Sequence, residues 1–441
     1  MAEQGLLYFA GTEVGSNSRV LSYLRGSSRA VATPGCSCVE PAAVGDAPYV
    51  SPAADPAPWY DPDEPESARF GGVWIESVTG LSDSPYQRQA TQRLGDGAVV
   101  SRGRRASKEL TITAWLFAAD CCGADYGLQW LTAALYSSCT QCDGDELCFL
   151  SCCPRPVAES PGAAQGPDGR WWDTPQRIRT LTGAALLSGP TLVTRSRGCE
   201  GAPCGEGVEM RPMYQVVWVM NADPCVWRRP VEVVDGQFWP LPTGDEPCNI
   251  TWTTDCCDPY RPGCSCEGPC SGDPQCATLP APPVPPPVEP DCICIPLQVV
   301  RQCVDITPDL VPNWEEASLL ITINSGSQPM RNLSINVWPN VLDRDPDQLN
   351  ECQACGVYYV TYVPANSTLT IDGRTCTARL DCPGNATRNA ANEVYGSAGG
   401  PMSCVTLSCG IRYTICADVD IHQVAPDATL SVSVVRCEAV A

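Results

Sequence analysis

A chain of 441 residues is too long for one ordinary domain and predicts two or three, each able to bury a core of its own. Its net charge of −22, from 28 basic and 50 acidic residues, provides no phosphate-tracking surface and argues against nucleic-acid specificity. The 30 cysteines exceed cytosolic usage and point to a compartment where thiols oxidise. No apolar run reaches the roughly 18 residues of a membrane span.

In chain order, GLLYFAGTEVGSNSRVLSYL has short apolar runs separated by Gly and Asn and predicts a small hairpin. From Thr33 to about Glu66, Pro, Ala, Asp, Cys36 and Cys38 predict an irregular, tethered excursion that does not pack. Val73 and Ile75 then open a strand with a bulge or twist before Gly80. KELTITAWLFA places Leu110, Ile112 and Ala114 on one face of a second strand. Leu128, Leu131, Ala134 and Leu135 recur at helical spacing and predict the single short helix, between Asp125 and Ser137. The basic run Arg102, Arg104, Arg105 and Lys108 reads as an exposed loop or a salt-bridging subunit contact.

YQVVWVMNADP is apolar on both faces over Val216, Val217, Trp218 and Val219, so it predicts a central strand or a subunit contact, ended by Pro224. Residues 236–296 hold a dense cysteine group and LPAPPVPPPVEP, which predicts a Cys- and Pro-rich linker with extended geometry. Beyond it, short alternating strands between Gly, Pro and Asn turns predict a C-terminal β-sandwich over 297–441. The expected class is therefore mainly β, with an N-terminal region over 1–235.

The cysteines stand as CxC (Cys36 and Cys38), as doublets (Cys121 and Cys122, Cys152 and Cys153) and as CxxC (Cys139 and Cys142, Cys352 and Cys355). Cys148, Cys404, Cys409, Cys416 and Cys437 complete the disulfide candidates. Consecutive Cα atoms lie too close for ordinary disulfide geometry, so each member of a doublet should reach its own distant partner. A four-thiolate zinc site over Cys139–Cys153 is the alternative, but it lacks a second CxxC, and His422 is the only histidine. Asp343, Asp345 and Asp347 lack the Gly and Glu of a calcium loop and read as a solvated turn. With one histidine, no GxSxG and no phosphate loop, neither a catalytic residue nor a cofactor is expected. Trp59, Trp171, Trp172, Trp252 and Trp338 stand beside turns, where packing competes with stacking on a sugar or a neighbouring subunit.

Several of these stretches, in the same order, resemble minor tail proteins of actinobacteriophages, related in architecture to siphophage distal tail proteins. They are GLLYFAGTEVGSNSRVLSYLR, APWYDPDEPES, LGDGAVVSRGRRASKELTITAWLFAADCCGADYGLQWLTAAL, CDGDELCFLSCCP, YQVVWVMNADPCVWRRP and STLTIDGRTCTA. The resemblance implies a ring-forming, tail-tube-like β-sandwich or split barrel over 1–235 and an outer sandwich, galectin-like or carbohydrate-binding-like in some members. It further implies a homo-oligomer, hexameric or alternatively trimeric, that meets the tail tube protein and other tail tip proteins, with a host envelope glycan as an additional partner. The opening MAEQGLLYFAGTEVG carries no cationic, apolar export leader. Synthesis in the host cytoplasm followed by oxidation in the virion fits that start and the cysteine content together. Two other functions stay open at this point: a host-surface binding module and a cell-wall hydrolase.

Overall fold

The computed structural model describes residues 5–25, 39–45, 49–83, 86–94, 96–101, 104–136, 145–195, 199, 212–233, 239–240, 249–253, 292–296, 299–312, 314–349, 353–420 and 423–438. The chain is mainly β and divides into two compact units, Met1–Arg229 with Arg436–Ala441, and Pro230–Val435.

In the first unit, β1 (Leu6–Phe9) and β2 (Thr12–Ser16) form the expected hairpin, its turn held by Ala10 and Gly11 at positive φ. The chain then enters a helix, α1 (Asn17–Arg25), where only a hairpin was expected. Val20 and Leu24 are buried one turn apart, Ser16 Oγ accepts from Arg19 N at 3.3 Å, and Arg25 occupies the last turn. A capping serine and i,i+4 apolar spacing were thus present in the sequence, hidden behind the strand-like run before them.

The remaining elements are β3 (Phe70–Thr79), β4 (Lys108–Ala118), α2 (Cys121–Leu135), β5 (Asp145–Leu150), β6 (Ile178–Arg195), β7 (Met213–Ala222) and β8 (Val226–Trp227). The bulge expected in β3 falls between Ile75 and Ser77. Asn17 fills it from the start of α1, accepting from Ile75 N at 2.7 Å and donating to Ile75 O at 2.9 Å. Helix α2 begins earlier than its apolar stripe, because Asp120 caps it by accepting from Gly123 N at 2.8 Å.

β6 belongs to two sheets. Its first part pairs with β5 and β8, and from Ala185 onward it pairs with β7, which continues to β4 and β3. The change occurs at Gly183, where φ is +60° and a Cβ would meet the Asp223 carboxylate at 2.8 Å, so glycine is required there. The core fills the space under both sheets and α2, with Phe9, Val73, Ile112, Leu131, Phe149 and Trp218 among its members.

The described residues of the excursion, 39–45 and 49–66, hold no strand and only one short helical turn, Pro41–Val44, yet they do pack. Tyr49, Ala57 and Trp59 are buried, and the Trp59 ring meets Phe70 edge-on at 5.0 Å and donates Nε1–H to Phe70 O at 3.1 Å. The proline-rich context concealed one large aromatic anchor, whose burial outweighs the lack of regular hydrogen bonding.

The second unit is a β-sandwich. One sheet has the order β9 (Val299–Ile306), β16 (Tyr413–Asp420), β11 (Met330–Pro339), β12 (Gly356–Val363) and β15 (Val394–Tyr395). The other contains β17 (Thr429–Glu438), β10 (Glu316–Asn324), β13 (Thr368–Asp372) and β14 (Thr377–Asp381). The period of two places Leu319, Ile321, Leu333, Ile335, Ile415 and Ala417 in one core, and it slips at Asn332, at positive φ, so that Met330 and Leu333 are both buried. Each such Leu or Ile side chain contributes about 1.5–3 kcal/mol on full burial. Asn249–Thr253 and Cys292–Pro296, inside the segment read as a linker, pair as antiparallel strands. The last residues of β17, Arg436–Glu438, belong to the first unit, where Glu438 pairs with Val226, accepts from Arg179 at 2.8 Å and ion-pairs with Arg228 at 2.8 Å.

Candidate functional site: an open strand edge and an open sheet face

Four disulfides are present among the described residues: Cys121–Cys199, Cys225–Cys437, Cys303–Cys416 and Cys376–Cys404. Cys122 and Cys153 are disulfide-bonded as well. The doublet Cys121 and Cys122 therefore reaches separate partners, as backbone geometry requires. Cys152, Cys355 and Cys409 are exposed thiols, and Cys148 Sγ lies 3.5 Å from Thr180 Oγ1. Cys36, Cys38, Cys139, Cys142, Cys352 and His422 lie outside the described residues. Among those described, no group of three or more His, Cys, Asp or Glu side chains could hold a metal ion. No described helix is long and apolar enough to cross a membrane.

The basic run does not form one exposed loop. Lys108 is 1% exposed, and its Nζ donates to the main-chain oxygens of Leu81, at 3.0 Å, and Asp83. Burial pushes its pKa below the ordinary lysine range, against the pull of Asp83. Arg105 Nη1 lies 3.3 Å from Cys225 Sγ, beside the Cys225–Cys437 bridge. Sequence spacing could not show that a strand-opening lysine would turn inward to satisfy a loop's carbonyls.

β7 is central, paired with β6 on one side and β4 on the other. Val216 and Trp218 are fully buried in the chain's own core, which removes them as subunit contacts. Val217 and Val219 face the other way and are half-buried. The edge of that sheet is the outer part of β6. From Ala185 to Arg195 it pairs only with β7 among the described residues, and Leu187 and Val193 are 59% and 57% exposed. At its end Arg195 stacks over Tyr214 at 5.2 Å and ion-pairs with Asp125 at 3.3 Å. Burial, followed by the nearby Asp125 charge, pushes the Tyr214 hydroxyl up to about 12.

In the second unit the outward side of the five-stranded sheet carries a single row of facing residues. Arg301 on β9 faces Asp418 on β16, Asp418 faces Ser334 on β11, Ser334 faces Tyr359 on β12, and Tyr359 faces Tyr395 on β15. Arg301 grips Asp418 through two hydrogen bonds, of 2.7 and 3.1 Å. Asn336, in the next row, donates to Asp418 Oδ2 at 3.2 Å and to Ser334 Oγ at 3.1 Å. Tyr359 and Tyr395 are 41% and 36% exposed. The neighbouring end of the face is closed, where Trp338 is 1% exposed and packs with Leu349 and Cys416. Trp59 and Trp172 are likewise buried, at 3% and 2%, so three of the turn-flanking tryptophans serve packing.

No protein-family model and no curated protein matches this chain. Among solved structures, the Dit (gp 19.1) protein of phage SPP1, described as a paradigm of hub adsorption apparatus in Gram-positive infecting phages, superposes with a TM-score of 0.33. It is 10% identical, over 85% of this chain and 94% of that one. A chain of the phage p2 baseplate in its activated conformation with Sr gives a TM-score of 0.36 at 9% identity, over 82% and 90%. A chain of the same baseplate with Ca gives 0.32 at 8%, over 79% and 90%.

Proposed function

We propose that this chain is a structural subunit of a phage tail, a distal or minor tail protein that assembles with copies of itself at the tail tip and joins the tail tube protein to other tip proteins. The observation that carries the reading is the outer edge of β6, a strand edge with two large exposed apolar side chains. Such an edge is an aggregation hazard unless another strand occupies it. The opposite edge of the same sheet is β3, paired only with β4 among the described strands; Asn17 takes the main-chain groups of Ile75, so the stretch open to a neighbour is Glu76–Thr79. One edge meeting the other on the next copy is a head-to-tail contact, and such contacts close into rings when the rotation permits. A hexamer is the proposed ring and a trimer the alternative. Disulfides across the described regions suit a particle that leaves a reducing cytoplasm, and residues 236–296 remain the proposed Cys/Pro-rich spacer. On this reading the tail-tube-like part is 1–235, the outer sandwich is 297–441, and the protein performs no catalysis.

Electron microscopy and light scattering of the oxidised full chain test it. Closed rings are expected, and the double variant Leu187→Lys, Val193→Lys should give monomers with unchanged circular dichroism. A wild type that stays monomeric at high concentration, or rings indifferent to both lysines, would refute the proposal.

A further inference from the structure

The Cys225–Cys437 bridge has a feature that a purely structural cross-link does not use: a cation lies against both of its sulfurs. We propose that this disulfide is a thiol-exchange site, opened by small-molecule thiols, in which Arg105 stabilises the thiolate that departs. The inference rests on the first unit alone and does not depend on ring formation.

Arg105 Nη1 lies 3.3 Å from Cys225 Sγ and 3.6 Å from Cys437 Sγ. A neutral disulfide gains little from a guanidinium, because its sulfurs are weak acceptors. A thiolate gains a charge-assisted bond, so the same contact weights the equilibrium toward the open form and lowers the cost of the leaving group. The guanidinium is placed from outside the bridge's own strands, because the main chain of Arg104–Arg105 pairs with that of Tyr86–Gln87. Arg105 is half-buried, where a charge pair is worth more than in open water, while Arg104 next to it is exposed. The carboxylate adjacent in sequence, Glu438, is gripped by Arg179 and Arg228, which limits its repulsion of a Cys437 thiolate.

Access sets the order of events. Cys225 is half-buried and Cys437 is 1% exposed, so an incoming thiolate meets Cys225 first. Its sulfur bonds to Cys225 Sγ, the bond to Cys437 Sγ breaks, and Cys437 leaves as a thiolate beside Arg105. A second small thiolate then attacks the small-thiol sulfur of that mixed disulfide, and Cys225 leaves in turn. Two small thiols have been oxidised to one small disulfide, and the bridge has gained two electrons. Of the two protons shed, one goes to solvent and one to the cysteine pair, since two sulfurs so close do not both stay charged. Opening loosens the strand end without unfolding the sheet. Arg436–Glu438 keep a two-residue ladder to β8, the bond from Arg228 N to Arg436 O at 2.9 Å and the ion pairs of Glu438. With so few contacts left, the end of β17 can detach and return, and the bridge acts on it as a reversible latch.

The oxidised full chain should be equilibrated in graded buffers of reduced and oxidised glutathione, quenched by alkylation, and each cysteine pair read by peptide mass spectrometry. The Cys225–Cys437 pair is expected to open within the series, with glutathione trapped on Cys225 and not on Cys437. Arg105→Met should shift its equilibrium roughly tenfold toward the closed form, about 30 mV, and Arg105→Lys should recover most of that shift. Cys376–Cys404, whose Cys376 is exposed, is the internal comparator and should respond alike in all three proteins. Four results would overturn the proposal: the pair stays closed in every buffer, Arg105→Met leaves its equilibrium unmoved, the comparator shifts as much as the pair, or the adduct lies on Cys437.

Discussion

The two units use their disulfides differently. In the first, Cys121–Cys199 and Cys225–Cys437 join segments 78 and 212 residues apart, and the second bridge anchors the end of β17 beside the two-residue ladder of β8. In the second unit, Cys303–Cys416 lies inside a continuous ladder running from Val299–Asp420 to Ile306–Tyr413. The first unit is thus cross-linked where its hydrogen-bond pattern is thin, whereas the second carries one bridge inside a dense ladder and another, Cys376–Cys404, between a turn and a loop. A covalent bond adds most to the native arrangement where little else fixes it, although both kinds restrict the unfolded chain.

The sharpest way to break this contrast is to remove the bridges. Loop-closure entropy gives about 5 kcal/mol for Cys225→Ala with Cys437→Ala and about 3.5 kcal/mol for the 28-residue pair Cys376→Ala with Cys404→Ala. Urea unfolding should rank them in that order. Hydrogen exchange should show early opening at Val226 and Trp227 only in the first variant. Equal opening in both would erase the distinction.

A smaller effect is expected at Lys108. Lys108→Met keeps the length of the stem and leaves the Leu81 and Asp83 carbonyls without their donor, which should cost about 2–3 kcal/mol. The matching measurement is the shift in urea midpoint at unchanged m-value. A neutral result would mean that the loop is held by something other than this lysine.

The smallest effect is one of pH. Burial raises the Asp223 carboxyl above its ordinary range, opposed by the Thr182 hydroxyl, which donates to Oδ2 at 2.9 Å. A carboxyl raised in the fold costs stability once ionised, so the deficit is absent below the ordinary carboxylate pKa and complete above the raised one. Asp223→Asn, which still accepts from Thr182, should therefore raise Tm at pH 7 by no more than a few degrees and leave it unchanged near pH 3. A gain that persists in acid would trace to something other than ionisation.

Read from the residues alone, the alternation in KELTITAWLFA, the stripe of α2 and the central position of β7 were all legible, because each depends on local periodicity set by backbone geometry. The mainly β class followed from the same source. Several other features were not legible. The burial of Trp59 within a proline-rich stretch, the inward turn of Lys108, and the choice of Val217 and Val219 over Val216 and Trp218 as outward residues depend on what the rest of the chain places nearby. The row from Arg301 to Tyr395 shows this most clearly. Its members come from five strands, and Arg301 and Asp418 alone are 117 residues apart, so only strand order and register bring them into line. A strand's own period tells which residues share a face, but which strands become neighbours is settled by burying both sheet interiors at once, and that is a property of the whole fold.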